Sequence, residues 1–184
     1  MSTDTPIPTH SERMRLVILS GLSGAGKSVG LRLFEDIGYY CIDNMPLALL
    51  PSYVKDALKS GRDTFTQTAI SVDARTAAAD MLPAKLAELE ALDVDYEIVF
   101  LIADRDVLLR RYSETRRKHP LTTDDLPLEE AIAMEAELLE PIANRARFTL
   151  DTTDMSAYDL RESLREYVAK SDAGMTLLFE SFGF

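Results

Sequence analysis

The eight residues Gly21-Leu22-Ser23-Gly24-Ala25-Gly26-Lys27-Ser28 restrict the fold more than any other stretch of the chain. They satisfy the pattern G-x-x-x-x-G-K-[ST] at every fixed position, a loop whose glycines let the backbone curl until its N–H groups face a polyphosphate. The flanks fit the same arrangement. Leu16-Val17-Ile18-Leu19 is a short continuous apolar run, the signature of a strand buried on both faces of a parallel sheet. Behind the loop, Val29, Leu33 and Ile37 recur every four residues and mark one helical face, with Gly38 suited to the position just past the helix end. A helix starting at the loop adds about half a positive charge where a phosphate would lie. Lys27 is therefore expected to reach the β/γ-phosphates, and the Ser28 hydroxyl to ligate Mg²⁺. The plain alternative is a glycine-rich turn that binds nothing. In a chain of this size the four fixed positions arise by chance on the order of one time in a hundred.

Strands alternate with helices along the rest of the chain. Strands are expected at Tyr39–Ile42, Ala69–Val72, Glu97–Ile102 and Phe148–Leu150. Between them, Leu82, Leu86 and Leu89 suggest one helix, Leu128, Ile132, Leu139 and Ile142 another, and Leu160, Leu164 and Val168 a third. Ser156 and Asp159 form a capping-box-like start to the last. Pro46 suits a helix start and Gly61 a helix end, while Pro51 and Pro83 are expected to distort their helices. The βαβα rhythm predicts an α/β fold with a parallel sheet sandwiched by helices, P-loop NTPase-like, in three layers of the adenylate kinase type.

Ligands in such folds bind beyond the carboxyl ends of the strands. Four predicted strands lead into an aspartate there: Asp43, Asp73, Asp104 and Asp151. An apolar strand ending in Asp is the usual second metal element of a phosphate-loop enzyme, since the carboxylate can hold a metal-bound water. Asp43, Asp73 and Asp104 all fit, and Asp after a strand is also a common helix N-cap. The strand beside the phosphate-loop strand is often the third in the chain, which favours Asp73, with Asp43 next.

Net charge is −11, which opposes indiscriminate attraction to nucleic acid. Residues 105–118 run against that balance: Arg105, Arg110, Arg111, Arg116, Arg117 and Lys118 fall within one stretch that reads as a basic helix. Its two arginine pairs can present planar forks to phosphates, resembling the lid of small kinases, where Arg stabilises charge on the transferred group. The bland reading is a solvated helix paired with the acidic stretch from Asp124 to Glu140. Two His, His10 and His119, are too few for a zinc site. The single Cys41 is expected to be a buried, unreactive thiol, and one cysteine cannot form an internal disulfide, which favours the cytoplasm. No apolar run approaches a membrane span, and residues 1–13 read as a polar, disordered leader rather than a signal peptide.

Five segments then follow one another in a familiar order: the glycine loop, Gly-Tyr-Tyr-Cys-Ile-Asp-Asn-Met-Pro at 38–46, Ser-Val-Asp-Ala-Arg at 71–75, Arg-Arg-Tyr-Ser-Glu-Thr-Arg-Arg-Lys-His-Pro-Leu at 110–121, and Phe-Glu-Ser-Phe-Gly-Phe at 179–184. From about Met14 onward the chain resembles the RapZ/YvcJ family of bacterial nucleotide-binding proteins, also called RNase adapter proteins. The resemblance implies hydrolysis of ATP and GTP, and since no Gln or Asp is placed by the sequence as an obvious water activator, that hydrolysis is expected to be slow. In some members it implies control of amino-sugar synthesis by presenting a small RNA to an RNase. The family's ATP site maps onto Gly21 to Ser28, and its GTP segment onto Asp73-Ala74-Arg75-Thr76, where Asp-Ala-Arg-Thr departs from the family's Asp-Val-Arg-Asn. Members continue for roughly another hundred residues, the size of a second domain, and that part is associated with RNA binding. Residues 14–172 are thus expected to form the nucleotide-binding domain, and 173–184 an apolar strand leading onward. Met175, Leu177, Leu178, Phe179, Phe182 and Phe184 are expected to form an unpaired apolar edge that either mediates self-association or is mobile. Two function classes follow. One is an NTPase or small-molecule kinase of the adenylate/shikimate kinase type, with Lys27, Asp73 (or Asp43), Arg116 and Arg117 at work. The other is a nucleotide-sensing adapter in which turnover is incidental.

Overall fold

The computed structural model describes residues 13–75, 79–92 and 94–172. The leader (apart from Arg13), Thr76 of the expected GTP segment, and the apolar tail 173–184 lie outside the described residues.

Five strands, β1 (Arg15–Gly21), β2 (Tyr40–Ile42), β3 (Gln67–Ser71), β4 (Asp95–Ile102) and β5 (Phe148–Asp151), form one sheet in the order β2-β3-β1-β4-β5. Every pairing is parallel. The glycine loop thus leaves the central strand, and the third strand lies directly beside it, as the Asp73 argument assumed. Successive strand side chains alternate between faces. Leu16, Ile18, Ile70, Ile98 and Phe100 pack on one side, and Val17, Leu19, Ala69, Val99 and Leu101 on the other. The first face is covered by α2 (Leu50–Ser60) and α3 (Leu82–Glu90), the second by α1 (Lys27–Asp36) and α6 (Ala157–Asp172). Because both faces are buried, the strands read as apolar runs rather than as alternating ones.

Local sequence explains most element ends. The α1 helix ends with Gly38 at φ +96°, its N–H bonded to Glu35 O and that of Tyr39 to Phe34 O, the paired bonds of a Schellman stop. At α6 the capping box forms reciprocally: the Ser156 amide and hydroxyl donate to Asp159 at 3.0 and 2.7 Å, and the Asp159 amide donates to Ser156 Oγ. Pro51 and Pro83 do not distort their helices. Each sits in a first turn, where no intrahelical N–H bond is lost. A larger difference concerns the basic stretch. The α4 helix (Arg105–Thr115) stops at Arg116, whose φ is +51°, so Arg116, Arg117 and Lys118 lie in the segment before α5 (Leu128–Ala143) rather than on a helix. The two arginine pairs therefore do not share a helical face.

Candidate functional site

Two positions of the glycine loop call for glycine for different reasons. Gly21 has φ +137°, and a Cβ there would meet the Leu101 backbone O at 2.2 Å. Gly26 has φ +110°, a left-handed conformation that strains any other residue, and packs against the Leu160 side chain of α6. The Leu22 amide donates to Leu101 O and the Ala25 amide to Leu22 O, both at 3.0 Å. Lys27 and Ser28 open α1, where first-turn amides lack intrahelical acceptors. Leu22 and Ala25 pack into the apolar core beneath, and Ser23, Gly24, Gly26, Lys27 and Ser28 line a cleft of about 530 Å³. Lys27 Nζ donates to the loop's own Gly21 carbonyl at 2.5 Å. Burial holds the Lys27 ammonium below its ordinary range, opposed by the charges of Glu135, Asp73 and Asp43.

The far wall of the cleft comes from the ends of β2 and β3, and Asp43, Asn44, Ser71, Asp73 and Arg75 line it. Ser71 Oγ donates to Asp43 Oδ1 at 2.5 Å and accepts the Asn44 amide at 2.7 Å. Asn44 sits at φ +56°. With its side-chain nitrogen turned toward Asp73, it reaches both carboxylate oxygens at 3.0 and 3.2 Å. Asp73 also accepts the Arg75 amide at 3.0 Å and its guanidinium at 3.1 Å. Both favoured aspartates therefore share one cavity with Ser28. Asp104 precedes α4 and is not among the lining residues, and Ala74 packs against the core. Among the described residues no group of three or more His, Cys, Asp or Glu gathers as a metal cluster. Mg²⁺ suits this donor set, since it typically takes one or two carboxylates and fills its octahedron with phosphate oxygens and water.

The third side is basic. Arg111, Tyr112, Thr115, Arg117 and Lys118 line it, and Arg116 does not. Arg111, read from the sequence only as one of the paired arginines facing phosphates, also grips the loop itself. Its Nη1 donates to Gly24 O at 3.0 Å and its Nη2 to Thr152 O at 2.6 Å. Thr152 Oγ1 in turn donates to Ala25 O at 2.9 Å. Arg111 belonged to the first arginine pair, so its charge was legible, but its carbonyl partners come from residues far away in the chain.

Glu135 was missed as well. It is fully buried, and both of its oxygens are taken by one loop residue: the Ser23 amide donates to Oε2 at 2.8 Å and the Ser23 hydroxyl to Oε1 at 2.5 Å. His119, 2% exposed, places Nε2 3.0 Å from the same Oε2. Tyr112 tilts over the His119 ring at 5.3 Å, and burial pushes its phenol up to about 12. One signal was available. On α5 the stripe Leu128, Ile132, Glu135, Leu139 and Ile142 puts a carboxylate at an apolar position.

The model of the RapZ-like N-terminal domain family matches residues 14–172. A nucleotide-binding protein of Methylococcus capsulatus is 47% identical over 174 residues, covering 93% of this chain and 59% of its own length. One from Hahella chejuensis is 44% identical, covering 93% and 61%. The chain thus spans about three fifths of the length of these curated relatives. Among solved structures, shikimate kinase from Acinetobacter baumannii in complex with shikimate aligns with a TM-score of 0.56 at 16% identity over 87% of this chain and 96% of that one. A gluconokinase from Sinorhizobium meliloti aligns at 0.52 and 20% identity over 88% and 96%. At such identities the likeness is one of fold.

Proposed function

The chain belongs to the RapZ-like N-terminal domain family, and from that premise we propose that it binds ATP or GTP with Mg²⁺ in the cleft over Gly21–Ser28 and hydrolyses it slowly. The observation that carries this reading is the convergence on one cavity of a half-buried lysine, two strand-end aspartates and a basic segment. In the reading, the first-turn amides of α1 and Lys27 bind the phosphates. The Ser28 hydroxyl and the Asp73 carboxylate, or Asp43 through water, hold the divalent ion, which when bound neutralises charge developing on the transferred group. Arg117 and Lys118 add cationic charge from across the cleft. Hydrolysis is slow in this reading because the carboxylates of the described cleft lining are already engaged, Asp43 by Ser71 and Asp73 by Arg75, and no Gln lies beside them to orient a water. In the longer protein, the same domain would act as a nucleotide-dependent RNase adapter in the cytoplasm, with a small RNA, an RNase and an amino-sugar metabolite as partners, and would self-associate.

A second reading, phosphoryl transfer to a small hydroxyl compound, is favoured by the far wall. Asp43, Ser71 and Arg75 offer an acceptor, a hydroxyl and a guanidinium facing the loop across the cavity. One set of measurements separates the readings. Lys27→Ala is expected to weaken binding of a fluorescent ATP analogue at least a hundredfold, and wild-type affinity in that variant would remove the site. Phosphate transfer to a sugar or polyol, accelerated over hydrolysis and lost in Asp43→Asn, would favour the kinase. Phosphate release indifferent to every added hydroxyl compound favours the NTPase.

A further inference from the structure

The Glu135 carboxylate is held by neutral donors, and two of them belong to a loop whose task is to receive an anion. Ser23 is fixed at its amide and at its hydroxyl by the same side chain. The third donor comes from the basic segment. His119 Nδ1 accepts the Leu121 amide at 3.1 Å, so Nε2 carries the proton and donates to Glu135. The His119 carbonyl accepts both the amide and the hydroxyl of Thr122, which closes a tight turn around the ring. Arg117 and Lys118, immediately before His119, line the cleft. One oxygen, Oε2, therefore reads two positions at once: that of the Ser23 amide in the loop and that of the residue anchoring the cationic segment.

Resting on the nucleotide-binding reading, we propose that Glu135 is a positioning residue that couples the glycine loop to the basic segment 116–120, so that triphosphate on the loop and Arg117 at the cleft are set together. The physical reason is geometric. Buried hydrogen-bonding groups are expensive to leave unpaired, so Ser23 cannot turn its amide toward a phosphate unless Glu135 shifts or keeps the hydroxyl alone. Either movement changes where His119 finds its acceptor, and with it the two cations beside it. A carboxylate that merely filled the core would stabilise the fold without linking these two effects.

A thermodynamic cycle tests the coupling, with a fluorescent ATP analogue plus Mg²⁺ as the probe and thermal unfolding recorded in parallel. In the otherwise wild-type chain, Arg117→Ala is expected to weaken the probe about tenfold, or ~1.4 kcal/mol. In His119→Gln or Glu135→Gln the same change is expected to weaken it less than threefold, because the guanidinium is no longer held at the cleft. A tenfold loss in every background, or lowered melting with unchanged affinity, would overturn the coupling and leave Glu135 as a packing residue. His119→Gln breaks the link at Oε2 while leaving both Ser23 contacts in place, and supplies the same cycle should Glu135→Gln fail to fold. If the wild-type chain does not bind the probe, the nucleotide reading fails and takes the coupling with it. Binding with additive losses removes the coupling alone.

Discussion

Two buried glutamates stand at opposite ends of the same sheet, and they are satisfied in opposite ways. Glu97, on β4 away from the cleft, accepts the Arg15 guanidinium at 3.1 Å, the Tyr167 hydroxyl at 2.6 Å and Ser171 Oγ at 3.3 Å, with Arg147 at 4.0 Å. Tyr167 stacks on Phe148 at 4.4 Å, so the whole arrangement ties β1, β4, β5 and α6 together. Permanent cations balance that carboxylate. Glu135 at the cleft end is hydrogen-bonded instead by the Ser23 amide and hydroxyl and by His119, with the Lys27 charge as its cationic neighbour. The contrast teaches that a buried acid paired with arginine is a fastener, whereas one held by a loop amide and a histidine is tied to parts that must accommodate a ligand.

The largest effect expected from this contrast is on stability. Glu97→Ala removes the buried carboxylate that Arg15, Tyr167 and Ser171 share, and should lower the unfolding free energy by about 3–5 kcal/mol in urea titrations. Nucleotide affinity of the folded molecules should not change. A loss below ~1 kcal/mol, or an affinity that follows the stability, would erase the distinction between the two ends. At the cleft the balance should reverse. Arg111→Lys keeps the charge but cannot span Gly24 O and Thr152 O together, and is expected to weaken nucleotide binding by about 1–2 kcal/mol while melting moves little. Equal losses in both would make Arg111 another fastener.

The smallest effect is one of pH, and its sign can be worked out. Burial places the folded-state Lys27 value below the ordinary 10.5. Between those two values the unfolded chain binds the proton and the folded chain does not, so stability rises with pH in that window. A phosphate favours the charged ammonium, so affinity should fall over the same window. The expected outcome is that stability and affinity move in opposite directions and that the rising contribution to stability is missing from Lys27→Met. A difference curve between the two proteins isolates Lys27 from the tyrosines that burial pushes up, such as Tyr53 and Tyr96. Parallel slopes would show that the lysine is not desolvated at the cleft.

Much of the cleft was legible before any coordinates. The glycine loop announces itself because each glycine answers a fixed backbone requirement, and the strand-end aspartates follow from the parallel layout. Cys41 is half-buried rather than fully buried, and burial, with the Glu35 charge, raises its thiol to about 11. The end of the basic helix was misplaced because Arg, Thr and Lys are all compatible with helix. What stops it is a left-handed residue at Arg116, which no glycine signals. Arg111 was visible as a charge but not as a clamp, and Glu135 could be mistaken for an acid on a solvated helix.

The sequence alone determined what is local: where strands bury both faces, where a glycine stop or a capping box bounds a helix, and which loop can wrap an anion, because these depend on residues within a few positions of one another. Tertiary structure alone decided the partners. The bonds from Ser23 to Glu135 and from Arg111 to Gly24 join residues 112 and 87 positions apart. A hydrogen bond is set by distance in space, and no periodicity along the chain records which carbonyl or carboxylate will lie within 3 Å of a given donor.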